Sequence, residues 1–232
     1  MASEEEDEFR EAELLLAAAG FGEPQLVSVG SSDAPCELRL QTLQSNHIGG
    51  VCWPCGRALA RHLASGACAW LRGRRCVELG AGTGLVGLAA AKAGGASAVT
   101  LTDLPELVPL LEQNVSNNGL SHACTARSLD WDRPLPDDLG ELDVVLACEV
   151  VYGSPSELTY GARADHSRFL ETVCALCPEG STTLLAFAFQ KRSPADDAFI
   201  EEELLSLFVA EAEPQDLDGA GRLFLGRRRS RR

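Results

Sequence analysis

Two groups of residues in this chain are spaced for chemistry. The first is Val77-Glu78-Leu79-Gly80-Ala81-Gly82-Thr83-Gly84, with Asp103 ending the next apolar segment. The second is Glu149-Val150-Val151-Tyr152. Glycines let a backbone approach a ligand where a side chain would collide. An acid about 20 residues beyond such a turn accepts both hydroxyls of a ribose. Turn and acid together are the parts that hold a nucleoside at the carboxyl ends of parallel strands. Glu149 follows an unbroken apolar run, where an acid is costly unless it has a partner. Such an acid marks a candidate site, the bland alternative for Glu149-x-x-Tyr152 being the start of a solvated loop.

The glycines can be read in two registers. Gly80-x-Gly82-x-Gly84 sets Glu78 just ahead of the turn, which suits a nucleoside that carries a cation. Gly82-x-Gly84-x-x-Gly87 formally satisfies the dinucleotide fingerprint. That register starts two residues late. A pyrophosphate also prefers an uncluttered helix N-terminus, and Glu78 would repel it. The first register is the expected one, with a nicotinamide or flavin site as a distant alternative.

These residues need a frame of alternating strands and helices. Strands are expected at Cys76–Leu79, Ala98–Thr102, Thr125–Leu129, Leu142–Ala147 and Thr182–Phe189. Helices are expected after Thr83, after Pro105, at Asp165–Leu176 and at Asp196–Phe208. In the second of these, Leu107, Leu110, Leu111 and Val115 share one face. Val209–Glu213 and Arg222–Leu225 form a closing hairpin in this reading. Upstream, Gln25–Val29 and Glu37–Leu43 read as strands, and a helix lies near Gly56–Ala64. A loop spans Gly153–Arg163. The alternation predicts an α/β fold, a doubly wound, mostly parallel sheet with right-handed crossovers. Residues 1–47 form an acidic N-terminal extension, 48–226 the α/β domain, and 227–232 a basic tail.

The chain has 232 residues, enough for one such domain. Its net charge of −14 argues against general nucleic-acid binding, which needs a basic face. A basic protein partner fits better, although acidic side chains also serve solubility. The Arg-rich end is the one basic cluster, a candidate nuclear address or a solvated tail. No apolar run is long enough to cross a bilayer, and the acidic start has the wrong charge for a leader. A cytoplasmic location is expected, with the nucleus as a second compartment. The nine cysteines then read as free thiols. Cys52-x-x-Cys55 has the spacing of a dithiol redox site, and a zinc site would need it to converge with Cys174-x-x-Cys177. Neither reading is favoured over ordinary thiols.

Three further stretches fix the pattern: Gly49-Gly50-Val51-Cys52-Trp53, Leu129-Asp130-Trp131, and Glu149-x-x-Tyr152 after the fourth core strand. With the glycine turn and Asp103, they resemble the seven-β-strand methyltransferases of family 16, which act on protein lysines. The resemblance covers roughly Ile48 to Phe189. It implies a Rossmann-like seven-stranded sheet and S-adenosylmethionine as cofactor. Gly80, Ala81 and Gly82 would line the methionine part, with Glu78 near its amino group. Asp103 would hold the ribose, and Asp130 and Trp131 would border the adenine. Trp53 would close the pocket, and Cys148 would touch the cofactor. Glu149 and Tyr152 would face the incoming amine, Glu149 as an orienting acceptor and Tyr152 as an aromatic wall. The motif acid is Glu149, where Asp is commoner in the family, and Pro54-Cys55 after Trp53 is unusual there. Both departures bear on substrate identity. The implied partner is a protein, with elongation factors and chaperones as first candidates, and the enzyme is expected to be monomeric. The rival readings are a methyltransferase for another acceptor and a silent methyltransferase-fold binding module.

Overall fold

The computed structural model describes residues 20–31, 34–43, 48–151, 166–191 and 194–230. Tyr152 and the Gly153–Arg163 loop lie outside the described residues, as do the acidic start and Arg231–Arg232.

Five parallel strands make the core of the sheet: β3 (Arg75–Leu79), β4 (Ala98–Asp103), β5 (Cys124–Ser128), β6 (Val144–Cys148) and β7 (Leu184–Phe189). β10 (Arg222–Arg228) runs antiparallel to β7 and pairs with β8 (Phe208–Ala210). The order is β5-β4-β3-β6-β7-β10-β8, and the two-residue β9 (Gln215–Asp216) pairs with the far half of β10. The expected seven-strand order with its antiparallel close is therefore present. Strands β6 and β7 read as continuous apolar runs because the sheet is covered on both faces. Successive residues still divide between two cores. Val144 and Leu146 enter one, and Val145 and Ala147 enter the other.

The first core lies under α1 (Pro54–Ala64), α2 (Leu85–Lys92) and α3 (Val108–Asn117). The second lies under α4 (His166–Leu176) and the segment at 199–208. That segment departs from the single helix expected at Asp196–Phe208. A short α5 (Pro194–Ala198) widens into a π turn at Phe199–Leu204, then a 3-10 turn, and Phe208 already belongs to β8. The wider i→i+5 turn gathers the buried Phe199, Ile200 and Leu204 onto a narrower face than regular helical spacing would.

The N-terminal strands β1 (Gln25–Ser28) and β2 (Glu37–Leu40) form their own antiparallel sheet. Their inward residues Val27, Leu38 and Leu40 join the first core, so this small sheet is packed onto the domain. Asn114 of α3 fastens it. Its side chain bonds the amide and the carbonyl of Gln41 (2.6 and 3.0 Å) and the carbonyl of Thr83 (2.9 Å). Asn118 makes the same two-way contact with Arg39, at 2.9 Å each.

The basic cluster expected as a tail begins inside the sheet. Arg227 pairs with Glu211 at 2.7 Å, and the Arg228 guanidinium sits 5.7 Å above the Phe208 ring. Arg229 donates to the Ser206 carbonyl at 2.8 Å. Strand β10 thus runs three residues past the expected hairpin strand.

The chain leaves β3 toward β4 and β5 on one side and returns to β6 on the other. That reversal opens a crevice beyond the carboxyl ends of β3 and β6.

Candidate active site

The crevice is a cavity of about 740 Å³. Ten of the expected site residues line it: Trp53, Glu78, Gly80, Ala81, Gly82, Asp103, Asp130, Trp131, Cys148 and Glu149. Tyr152 is the remaining one, outside the described residues.

The glycine turn between β3 and α2 forms its floor. Gly80 and Gly82 have φ of 61° and 55°, the left-handed region that other residues avoid. A Cβ on Gly80 would come within 2.7 Å of Val150, and one on Gly82 within 2.7 Å of the Gly49 carbonyl. The turn is tied to β4. The Ala81 amide bonds the Thr102 carbonyl at 2.9 Å, and the Gly82 amide bonds Asp103 Oδ2 at 2.7 Å. Asp103 Oδ1 accepts from the Leu104 amide at 2.8 Å.

Glu78 is 2% exposed, and its Oε2 accepts the Gly87 amide at 2.8 Å. Burial pushes its carboxyl up to about 8, with the charge of Asp103 adding and the Gly87 bond opposing. Gly87 itself sits in the first turn of α2 against Leu101, serving the packing of α2 on the sheet. The dinucleotide register thus has its third glycine occupied by Glu78, which fits the register that starts at Gly80.

The walls come from loops and helix starts. Trp53 precedes α1, is 38% exposed, and donates Nε1–H to the Ile48 carbonyl at 3.0 Å. Trp131 leans on Phe169 of α4 with ring centroids 5.2 Å apart, and Phe169 continues to Phe187 in the core. Asp130 caps the turn after β5 through the Asp132 amide at 3.0 Å. Cys148 ends β6, and Glu149 follows with φ of 60° and its amide bonded to the Ala188 carbonyl at 3.0 Å. A non-glycine residue held there costs about 1–2 kcal/mol, and such strain gathers where a side chain must be aimed. Glu149 is 9% exposed, on the cavity wall.

The chain matches the family described as lysine methyltransferase over residues 32–204.

It belongs to that family.

This lysine methyltransferase family member is 36% identical to mouse Protein N-lysine methyltransferase METTL21A, over 60% of each chain. It is 32% identical to mouse EEF1A lysine methyltransferase 3, over 68% of this chain and 63% of the relative. The chain spans about 60% of the length of the curated relatives it matches. The crystal structure of human N-acetylserotonin methyltransferase in complex with SAM aligns with a TM-score of 0.51 at 16% identity. That alignment covers 75% of this chain and 52% of the other, and it shows the shared fold.

Sequence reasoning missed one side of the cavity. Leu104, Pro105 and Glu106 beyond β4 line it, as do His166, Arg168 and Phe169 at the start of α4. A general signal was available. A helix that follows a parallel strand runs back along it, so its N-terminus and the strand's carboxyl end lie at the same edge of the sheet.

Proposed function

We propose that this protein is an S-adenosylmethionine-dependent N-methyltransferase acting on a lysine of a protein substrate. The observation that carries this reading is the braced turn. Gly80 and Gly82 bare their backbone to the cavity, Asp103 ties that turn while lining the same cavity, and Glu149 lines it from the end of β6. The residues present fit the cofactor. The carboxylate of Asp103 on the cavity wall suits two ribose hydroxyls, and Trp131 backed by Phe169 offers a flat wall for adenine. Glu78, almost fully enclosed, suits a cationic amino group beside it. When bound, the cofactor supplies an electrophilic methyl on a sulfonium.

What remains for the protein is to present a neutral amine in line. A free lysine is protonated up to about pH 10.4. A cation beside it disfavours the ammonium, and an ionised Glu149, like the other acids on the cavity wall, opposes that shift. Glu149 therefore acts as an acceptor that orients the amine, and the proton leaves to water. Most of the rate comes from alignment. The acidic chain, at net −14, favours a basic substrate surface. One relative is named for EEF1A, which makes an elongation factor the first candidate substrate. We place the enzyme in the cytoplasm and the nucleus, working as a monomer.

The test is transfer of labelled methyl into the proteins of a cell lysate, with wild type beside Glu149→Ala. A labelled protein band that disappears in the variant supports the reading. Labelling that persists unchanged in the variant removes Glu149 from the mechanism, and no labelling by a cofactor-binding wild type points to a non-protein acceptor or a silent fold.

A further inference from the structure

Cys55 and Cys148 meet at the edge of the cavity. The period of β6 sends Cys148 to the same face as Val144 and Leu146, where it packs against the core under α1. There it finds the first turn of that helix. The Cys148 thiol donates to the Cys55 sulfur at 4.0 Å, between residues 93 apart in sequence. Cys55 is 1% exposed, whereas Cys148 is half-buried and reaches the cavity. The Cys-x-x-Cys spacing suggests Cys52 as the partner of Cys55. The Cys52 sulfur instead lies against Thr83 Oγ1 at 3.5 Å.

We propose that Cys55 and Cys148 form a redox modification site, which a hydroperoxide converts to a disulfide that excludes ligand from the cavity. The Cys148 sulfur attacks the peroxide O–O bond, takes one oxygen as a sulfenic acid and releases water or an alcohol. The Cys55 sulfur then attacks that sulfur. The S–O bond breaks, and the departing hydroxide takes the Cys55 proton as a second water. Two thiols lose two electrons, and the peroxide gains them. Cys148 is the end that meets the oxidant, because it alone of the pair opens on the cavity. Its bond to Cys55, then burial, hold the Cys148 proton well above the ordinary thiol range, so the pair rests reduced and reacts slowly.

A disulfide is about 2 Å long, so the sulfurs must close by about the same distance. Both ends of that movement lead to cavity walls. Cys148 is followed by Glu149 in its left-handed conformation, and Cys55 lies two residues after Trp53. Drawing the sulfurs together shifts both walls and removes a thiol from the ligand surface.

The experiment treats the full chain with hydrogen peroxide, blocks residual thiols with an alkylating agent, and maps cross-linked peptides by mass spectrometry. The expected product joins Cys55 to Cys148. It forms in wild type and in Cys52→Ser, and is absent in Cys55→Ala. Oxidised wild type is expected to lose affinity for adenosylhomocysteine by about tenfold or more, with dithiothreitol restoring it. Cys55→Ala keeps its affinity before peroxide and gives no disulfide after it. A Cys52–Cys55 product, no cross-link, or a Cys55–Cys148 product with unchanged affinity overturns the proposal. The affinity arm rests on the function proposed above. Should reduced protein not bind adenosylhomocysteine, that function falls, and the cross-linked peptide alone decides this proposal.

Discussion

Asp103 Oδ2 accepts the Gly82 amide hydrogen at 2.7 Å, so an acid at the end of β4 braces the turn that follows β3. The same carboxylate faces the cavity. One side chain thus holds the turn in shape and presents a carboxylate to the cavity.

Those two tasks separate in mutants. Asp103→Asn keeps one oxygen for the turn but replaces the other acceptor with a donor. Because both oxygens accept backbone amides, it is expected to lose one of those bonds, at about 1 kcal/mol of stability, and to bind adenosylhomocysteine about tenfold or more weakly. Asp103→Ala loses both functions, with a further stability cost of about 1–2 kcal/mol. Calorimetric titration and thermal melts measure the two effects. Equal affinity of the Asn variant and wild type would remove Asp103 from ligand binding.

Glu149 is held at a backbone angle that glycine adopts freely. Glu149→Gly and Glu149→Ala should both abolish turnover while preserving cofactor affinity. They should differ in stability, with the glycine variant about 1 kcal/mol more stable because Ala keeps the left-handed penalty. Chemical denaturation of the pair gives the difference. A more stable alanine variant would mean that the backbone relaxes there.

The buried Glu78 makes stability depend on pH. Its folded value of about 8 lies above the ordinary carboxyl range. Between the two values the folded state holds a proton that the unfolded state has lost, so stability falls as pH rises through this window. The benefit is complete below the unfolded value and gone above about 8. Glu78→Gln keeps an oxygen for the Gly87 amide without a charge. Urea unfolding of ligand-free protein at pH 5 and pH 8 should show a wild-type loss that this variant lacks. Parallel losses in both would assign the pH dependence to other groups.

Asn114 satisfies three backbone groups at once. Asn114→Ala leaves them buried without partners and is expected to cost about 3 kcal/mol or more. Because one of the three is the Thr83 carbonyl in the glycine turn, adenosylhomocysteine affinity should fall as well. Denaturation and titration of this variant test both effects. A cost below that of an ordinary surface substitution would show that water replaces the side chain.

The parts of the site that were legible in the sequence are those set by local backbone demands. A run of glycines after a strand, and acids at strand ends, announce themselves because few residues tolerate those positions. Asn114 did not, since among Leu110, Leu111 and Val115 it reads as a filler on an apolar helix face. Its partner Gln41 is 73 residues away, and the Cys55–Cys148 contact is longer still. Such pairs exist only once the sheet has ordered its strands. The close of the chain was misjudged for a related reason. Phe199 to Phe208 has the composition of a helix, but core space asked for a widened turn and then a strand.

Asn114 of α3 and Asn118, just past its end, have a consequence for how this chain can vary. Asn114 and Asn118 grip the N-terminal sheet by the amides and carbonyls of Gln41 and Arg39, never by their side chains. Any residue except proline offers the same amide and carbonyl. The clasp therefore reads the path of the strand and ignores its spelling. Substitutions at the outward-facing position 39 should drift at little cost, while the same freedom at 114 or 118 would release this small sheet from the turn it supports.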